Sequence, residues 1–132
     1  MTFKELCEGA ISRINPREIS GHMSAGNVIA AIETKSGKVY YGVSIDTSCG
    51  LGMCAERVAI ANMITDGESE IARMVVISET GELMMPCGAC REMMMQLSPS
   101  SGDIEILTDL ENQKMIRLKS LLPIWWGSYK FD

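Results

Sequence analysis

The segments Cys54-Ala55-Glu56-Arg57 and Pro86-Cys87-Gly88-Ala89-Cys90 hold three cysteines that any fold of this chain must gather if they are to share a metal ion. Three sulfur ligands suit a working zinc better than a structural one, because a catalytic zinc keeps its fourth position open for water whereas a structural zinc closes all four. Water at such a position ionises near neutral pH, with a pKa of about 7, but protons still have to be carried to and from whatever reacts there. Glu56, two residues past Cys54, is the carboxylate in position to carry them.

Five cysteines are an odd number, and the metal-like spacing of three of them fits a reducing compartment better than a disulfide framework. Cys7 and Cys49 are left over. Cys7 recurs at helical spacing with Phe3, Leu6, Ala10 and Ile11, so it reads as a small buried hydrophobe. Cys49 supports a competing reading: as a fourth ligand it would close the zinc site and make the chain a non-catalytic binding module. A redox role for the Cys87-x-x-Cys90 pair is a third reading.

The net charge of -5 comes without any run of Lys or Arg, which argues against a nucleic-acid surface, because phosphate binding needs clustered cations. A small free molecule is the expected partner. No stretch approaches the roughly 18 apolar residues of a membrane span, and Met1 to Arg17 lacks the basic start and apolar run of a signal peptide. No membrane contact and a cytoplasmic location are therefore expected. With 46% hydrophobic content, 132 residues can bury a core without a zinc staple, as one domain over residues 1–132.

A first helix is predicted from the T-x-x-E capping box of Thr2 to Glu5, ending at Asn15-Pro16. Asn27 to Ile32 and Val39 to Val43 read as a hairpin around Lys35-Ser36-Gly37. The polar, Gly-containing stretch from Ser44 to Gly52 leads into a second helix, Cys54 to about Asp66, stopped by Gly67. Met74 to Ile77 has the continuous apolar run of an interior strand, and Pro86-Cys87 opens a third helix ending near Leu97. Ile104 to Leu107 and Met115 to Leu118 are two more strands, followed by a helical turn at Leu121-Leu122. This order predicts a layered α/β domain with a five-stranded mixed sheet, its first hairpin antiparallel and its later crossovers parallel. Both cysteine segments then fall at helix N-termini, where unpaired N–H groups and the positive dipole end favour thiolates. Residues two apart do not share a helix face, so Cys54 and Glu56 can converge only in an irregular first turn.

With Cys54 as first ligand, x-E followed by P-C-x-x-C is the general signature of zinc deaminases, and the chain resembles the cytidine deaminase family in its small, all-cysteine form. Asn27-Val28-Ile29-Ala30-Ala31-Ile32, Gly37-Lys38-Val39-Tyr40-Tyr41-Gly42 and Leu121-Leu122-Pro123 extend the resemblance over most of the length. It implies a three-layer α/β/α fold and one zinc ion per chain held by Cys54, Cys87 and Cys90. The reaction it implies is hydrolytic deamination of a cytosine-type ring in a free nucleoside or nucleoside-like molecule, with Glu56 passing protons from water to ring N3 and to the departing amine. It also implies a homo-oligomer, commonly a tetramer, a place in pyrimidine salvage, and pyrimidine contacts from backbone near Ala55 and after Cys87.

Three thiolates leave a divalent ion with net negative charge, and Arg57 and Arg91 are the candidates to offset it by donating to sulfur. Nucleoside-specific relatives carry an Asn-x-Glu pair after the second strand to hold the sugar hydroxyls. Here Ser44 and Asp46 occupy those positions, both with shorter side chains, while Gly26 and Ile29 stand where the family usually has Phe and Gly. These departures resemble blasticidin S deaminase, which makes a modified cytosyl nucleoside an alternative substrate. Trp126, three residues past Pro123, stands where relatives place an aromatic over the base, often in a neighbouring subunit's site. His22, the single histidine, is expected in an exposed loop, and Met84-Met85 and Met93-Met94-Met95 as packing residues around the third helix.

Overall fold

The computed structural model describes residues 1–130; the last two residues of the expected domain, Phe131 and Asp132, lie outside the described residues. Helix α1 (Phe3–Ile11) starts as its capping box dictates: Glu5 N–H donates to Thr2 Oγ1 at 3.1 Å and Thr2 N–H donates back to Glu5 Oε1 at 3.2 Å. After α1 come β1 (Arg17–Ser20), β2 (Met23–Thr34), β3 (Val39–Thr47), α2 (Ala55–Thr65), β4 (Ile71–Ser78), α3 (Gly88–Met95), β5 (Glu105–Asp109), β6 (Lys114–Arg117) and the short helices α4 (Leu118–Leu121) and α5 (Gly127–Lys130).

One sheet carries six strands rather than the five expected. Five of them run across it in the order β3, β2, β4, β5, β6. The extra strand, β1, pairs with residues of β2 that also pair with β3, so it takes the edge of β2 that β4 uses further along. All four β1 residues are exposed, so the segment lacks the apolar alternation by which a strand is recognised in sequence. Only β4 and β5 are parallel neighbours. The crossover through α2 passes over β2, which is antiparallel to both β3 and β4, so β3 and β4 run parallel and the expectation of parallel later crossovers holds for the one through α2 as for the one through α3.

Strand alternation sends successive side chains to opposite faces and so builds two cores. Ala30, Ile32, Met74, Val76 and Ile106 pack with Ala59, Ile60 and Met63 of α2 and Met94 of α3. Ile29, Ala31, Val75, Ile77 and Leu107 pack with Leu6, Cys7 and Ala10 of α1. The sheet is thus covered on both sides, the three-layer arrangement expected, and Cys7 is the core residue its spacing predicts.

Two glycines fix how this frame holds the cysteines. Gly42 of β3 lies so close under α2 that a Cβ there would stand 2.2 Å from Ala59 N and 2.7 Å from Ala55 O. Both atoms are helix backbone, so nothing can swing aside. We expect Gly42→Ala to cost at least about 1–3 kcal/mol, the usual range for overpacking, seen as a lower urea midpoint at unchanged m-value. A midpoint equal to the parent's would remove this account of how α2 is seated. Gly26, at φ +89°, marks a break in β2: the register with β3 jumps from Ala25↔Ile45 to Ile29↔Val43, so residues 26–28 face Ser44 alone. Ser44 Oγ fills the interrupted ladder by accepting from Val28 N–H at 3.1 Å.

Candidate active site

Strands β3 and β4 each feed a loop that folds back before starting a helix. Ile45 and Met53 exchange both backbone hydrogen bonds at 2.9 Å, which returns the chain from the end of β3 to Cys54. Met84 N–H donates to Val76 O at 2.8 Å, and buried Pro86 then delivers Cys87. Cys54 and Cys87 are the N-cap residues of α2 and α3, with extended backbone, and Cys90 lies in the first turn of α3. Two helix starts therefore face one point.

At that point the Cys54 and Cys87 sulfurs are 3.4 Å apart, those of Cys87 and Cys90 are 3.1 Å apart, and all three lie within 4.8 Å of one another. A tetrahedral zinc with sulfur at about 2.3 Å spaces its ligands about 3.8 Å apart, so this triad has the dimensions of a zinc half-cage. Burial, then the hydrogen bond with Cys87, pushes the Cys54 thiol up; burial, then Cys87 and the charge of Glu56, pushes the Cys90 thiol much further. Burial also acts on Cys87, but hydrogen bonding from Cys90 and Cys54 outweighs it and holds that thiol below its ordinary value. Crowding alone thus disfavours three thiolates, and a divalent cation is what stabilises the set. The donor chemistry fits zinc. Cys49 is exposed and stands outside the one cysteine cluster found among the described residues, so the closed four-sulfur site does not form.

Glu56 is 5% exposed, and its Oε2 accepts from Cys87 N–H at 3.4 Å. Cys54 escapes the helical spacing rule because it sits outside the helix as its cap, so ligand and carboxylate both reach Cys87. Arg57 Nη2 donates to Cys54 Sγ at 3.9 Å, and that contact raises the guanidinium's hold on its proton. Arg91 behaves differently from expectation. Its Nε donates to Pro86 O at 2.7 Å and its Nη1 to Leu121 O at 3.2 Å, so it braces the loop that carries Cys87 rather than a sulfur.

Cys54, Glu56 and Cys87 open onto a cleft of about 240 Å³ that also has Ser44, Asp46 and Ala55 in its wall. Trp126 does not line it; the ring is 41% exposed and packs edge-on against Trp125 with centroids 5.9 Å apart, while Trp125 leans on the core. The apolar part of the cleft, Val28, Met53, Val76, Met84 and Met85, was not singled out by sequence. The Met pair standing directly before Pro86-Cys87 was the available signal, and composition alone made it look like ordinary packing. A wider groove of about 780 Å³ beside Leu97, Leu122 and Trp125 shares no lining residue with the cleft.

Residues 7–102 match the family model of the cytidine and deoxycytidylate deaminase zinc-binding region. A cytidine deaminase from Halalkalibacterium halodurans is 33% identical over 95 residues, which cover 71% of this chain and 72% of that protein. One from Mycobacterium tuberculosis is 29% identical over 99 residues, covering 74% and 71%. Among solved structures, the cytidine deaminase from Burkholderia pseudomallei matches with a TM-score of 0.74 at 31% identity, over 94% of this chain and 98% of that one. The Mycobacterium tuberculosis enzyme matches in fold with a TM-score of 0.78 at 23% identity, over 96% and 98%.

Proposed function

This chain belongs to the cytidine and deoxycytidylate deaminase family and is a zinc-dependent hydrolytic deaminase, and we infer that Cys54, Cys87 and Cys90 hold its metal and that Glu56 moves its protons. The observation that carries this reading is the convergence of three sulfurs within 4.8 Å beside a buried carboxylate hydrogen-bonded to Cys87 N–H.

Zinc, when bound, supplies the Lewis acidity that makes water nucleophilic near neutral pH. Glu56 takes a proton from that water at a carboxylate oxygen and delivers it to ring N3, which makes C4 electrophilic. Oxygen adds at C4, and a second proton carried by Glu56 reaches the exocyclic amine as the C4–N bond breaks. Ammonia departs, a uracil-type ring remains, one water is consumed, and the carboxylate ends as it began. Arg57 withdraws charge from the Cys54 sulfur, Arg91 holds the Pro86-Cys87 loop, and backbone at Ala55 meets the pyrimidine edge. Ser44 and Asp46 face the sugar. Cytidine is the first substrate to test, with deoxycytidine, cytosine and blasticidin S beside it, scored by ammonia release. Absence of ammonia from every cytosine compound, with zinc bound, would end this reading.

A homo-oligomer, most simply a tetramer, and a cytoplasmic role in pyrimidine salvage complete the proposal. Exposed Leu51, Ile124 and Trp126 supply apolar surface for assembly and for Trp126 to reach a neighbouring cleft. Among the described residues no helix is long and apolar enough to cross a membrane. Sedimentation of the purified chain reads the assembly directly, and a monomer at micromolar concentration would exclude it.

A further inference from the structure

One peptide group joins Arg91 to Glu56. Arg91 Nε donates to Pro86 O at 2.7 Å, and the N–H of that same peptide, carried by Cys87, donates to Glu56 Oε2 at 3.4 Å. The peptide is trans and planar, so its C=O and N–H point in opposite directions and fixing one fixes the other. A hydrogen bond of 3.4 Å is long, and such a bond is kept or lost by its direction. Holding the Pro86 carbonyl therefore aims the Cys87 N–H. The backbone N–H of Arg91 adds to this by donating to Cys87 O at 2.9 Å, so Arg91 grips the carbonyl on each side of the Cys87 nitrogen.

The guanidinium is anchored independently at its other end. Its Nη1 donates to Leu121 O at 3.2 Å, and α4, which carries Leu121, is fixed to the frame. Leu118 at the start of α4 is fully buried and its N–H donates to Ile104 O at 3.0 Å, while Leu121 and Leu122 pack against the core beneath α2 and α3. Nε and Nη1 belong to one rigid plane, so bonds from both to two separate segments fix the orientation of the group as well as its place. A lysine ammonium has no such plane. The charged donor on the carbonyl also polarises the peptide, which makes its N–H a better donor to the carboxylate.

We propose that Arg91 is a positioning residue for Glu56: it acts through the Pro86–Cys87 peptide to hold the carboxylate where protons are taken up and released, with the end of α4 as its fixed point. This rests on the reading of Glu56 given above. The two arginines then have separate tasks. Arg57 donates to a sulfur, whereas the Arg91 side chain donates to backbone oxygens, so replacing Arg91 spares the metal and reaches turnover through Glu56.

The test is a double-mutant cycle on the zinc-loaded enzyme, with Arg91→Gln and Arg91→Lys each made in the parent and in a Glu56→Gln background. The readouts are kcat and KM for cytidine from ammonia release, zinc retained against a chelator, and the thermal midpoint. In the parent background both Arg91 variants should keep zinc as the parent does and lower kcat by up to about 10²-fold, the cost of a misplacement of about 1 Å, with little change in KM. In the Glu56→Gln background the same replacements should lower the residual kcat by no more than about twofold, since a residue that acts through Glu56 has nothing left to position. A loss of equal size in both backgrounds would overturn the proposal, and so would an unchanged kcat in the parent background. Zinc loss or unfolding in both Arg91 variants would make Arg91 a structural residue only and would overturn it too. Failure of the Glu56 assignment is separately visible, as cytidine turnover by Glu56→Gln alone at the parent's rate.

Discussion

Glu56→Gln is expected to leave a folded, zinc-loaded chain whose cytidine turnover falls by about 10²–10⁴-fold, the usual contribution of a positioned general acid–base. The substitution keeps the shape of a side chain that is almost fully buried and keeps an oxygen to accept from Cys87 N–H. What it removes is the capacity to gain and release a proton. In the proposed mechanism the same carboxylate serves ring N3 and the leaving amine, so no partial function is left to the amide. The checks are kcat from ammonia release and metal per chain by elemental analysis. Turnover within a few-fold of the parent at full zinc content would remove Glu56 from the chemistry.

Cys87→Ser should separate the metal site from the fold. Serine is among the best N-cap residues, so the start of α3 loses nothing by the exchange. Both cores lie elsewhere and are apolar. The loss falls on zinc: four-ligand sites bind it with about 10–16 kcal/mol, roughly 3 kcal/mol per ligand, so losing one sulfur weakens binding by about 10²-fold. Dialysis against a moderate chelator should strip the variant while the parent keeps its metal, with circular dichroism close to the parent's and the thermal midpoint of the stripped variant close to that of the metal-free parent. Arg57→Gln should show a milder defect, about 10–100-fold in metal affinity or activity, as expected for a partner of a ligand. Equal zinc retention by Cys87→Ser and the parent would show that the sulfur triad is not the metal site.

How much of this could be read from the residues differs by element. Helices α1 to α3 and strands β2 to β6 announce themselves through periodicity, the Thr2-to-Glu5 box and the two cysteine segments, because each signal is local; α4 starts at Leu118, where the apolar pattern reads as the end of a strand, and α5 carries no such signal. Strand β3 continues to Thr47, past the Val43 end that its apolar run predicts, since Ser44, Asp46 and Thr47 are polar and give the look of a loop. Strand β1 had no signal because every residue on it is exposed. In the site, the meeting of Cys54, Cys87, Cys90 and Glu56 is legible from their two short segments read against the zinc-deaminase signature. Arg91 was not: adjacency to Cys90 suggested a sulfur contact, whereas the partners it found, Pro86 O and Leu121 O, are backbone groups that only tertiary structure brings near.

The irregularity of β2 opposite Ser44 ties selectivity to architecture. Because Ser44 Oγ accepts from Val28 N–H while the residue lines the cleft, exchanging it for a longer amide would unseat Val28 N–H as well as refashion the pocket. Drift between the two kinds of pocket therefore runs through strong epistasis, since the favoured identity at 44 depends on how the neighbouring strand is kinked at Gly26.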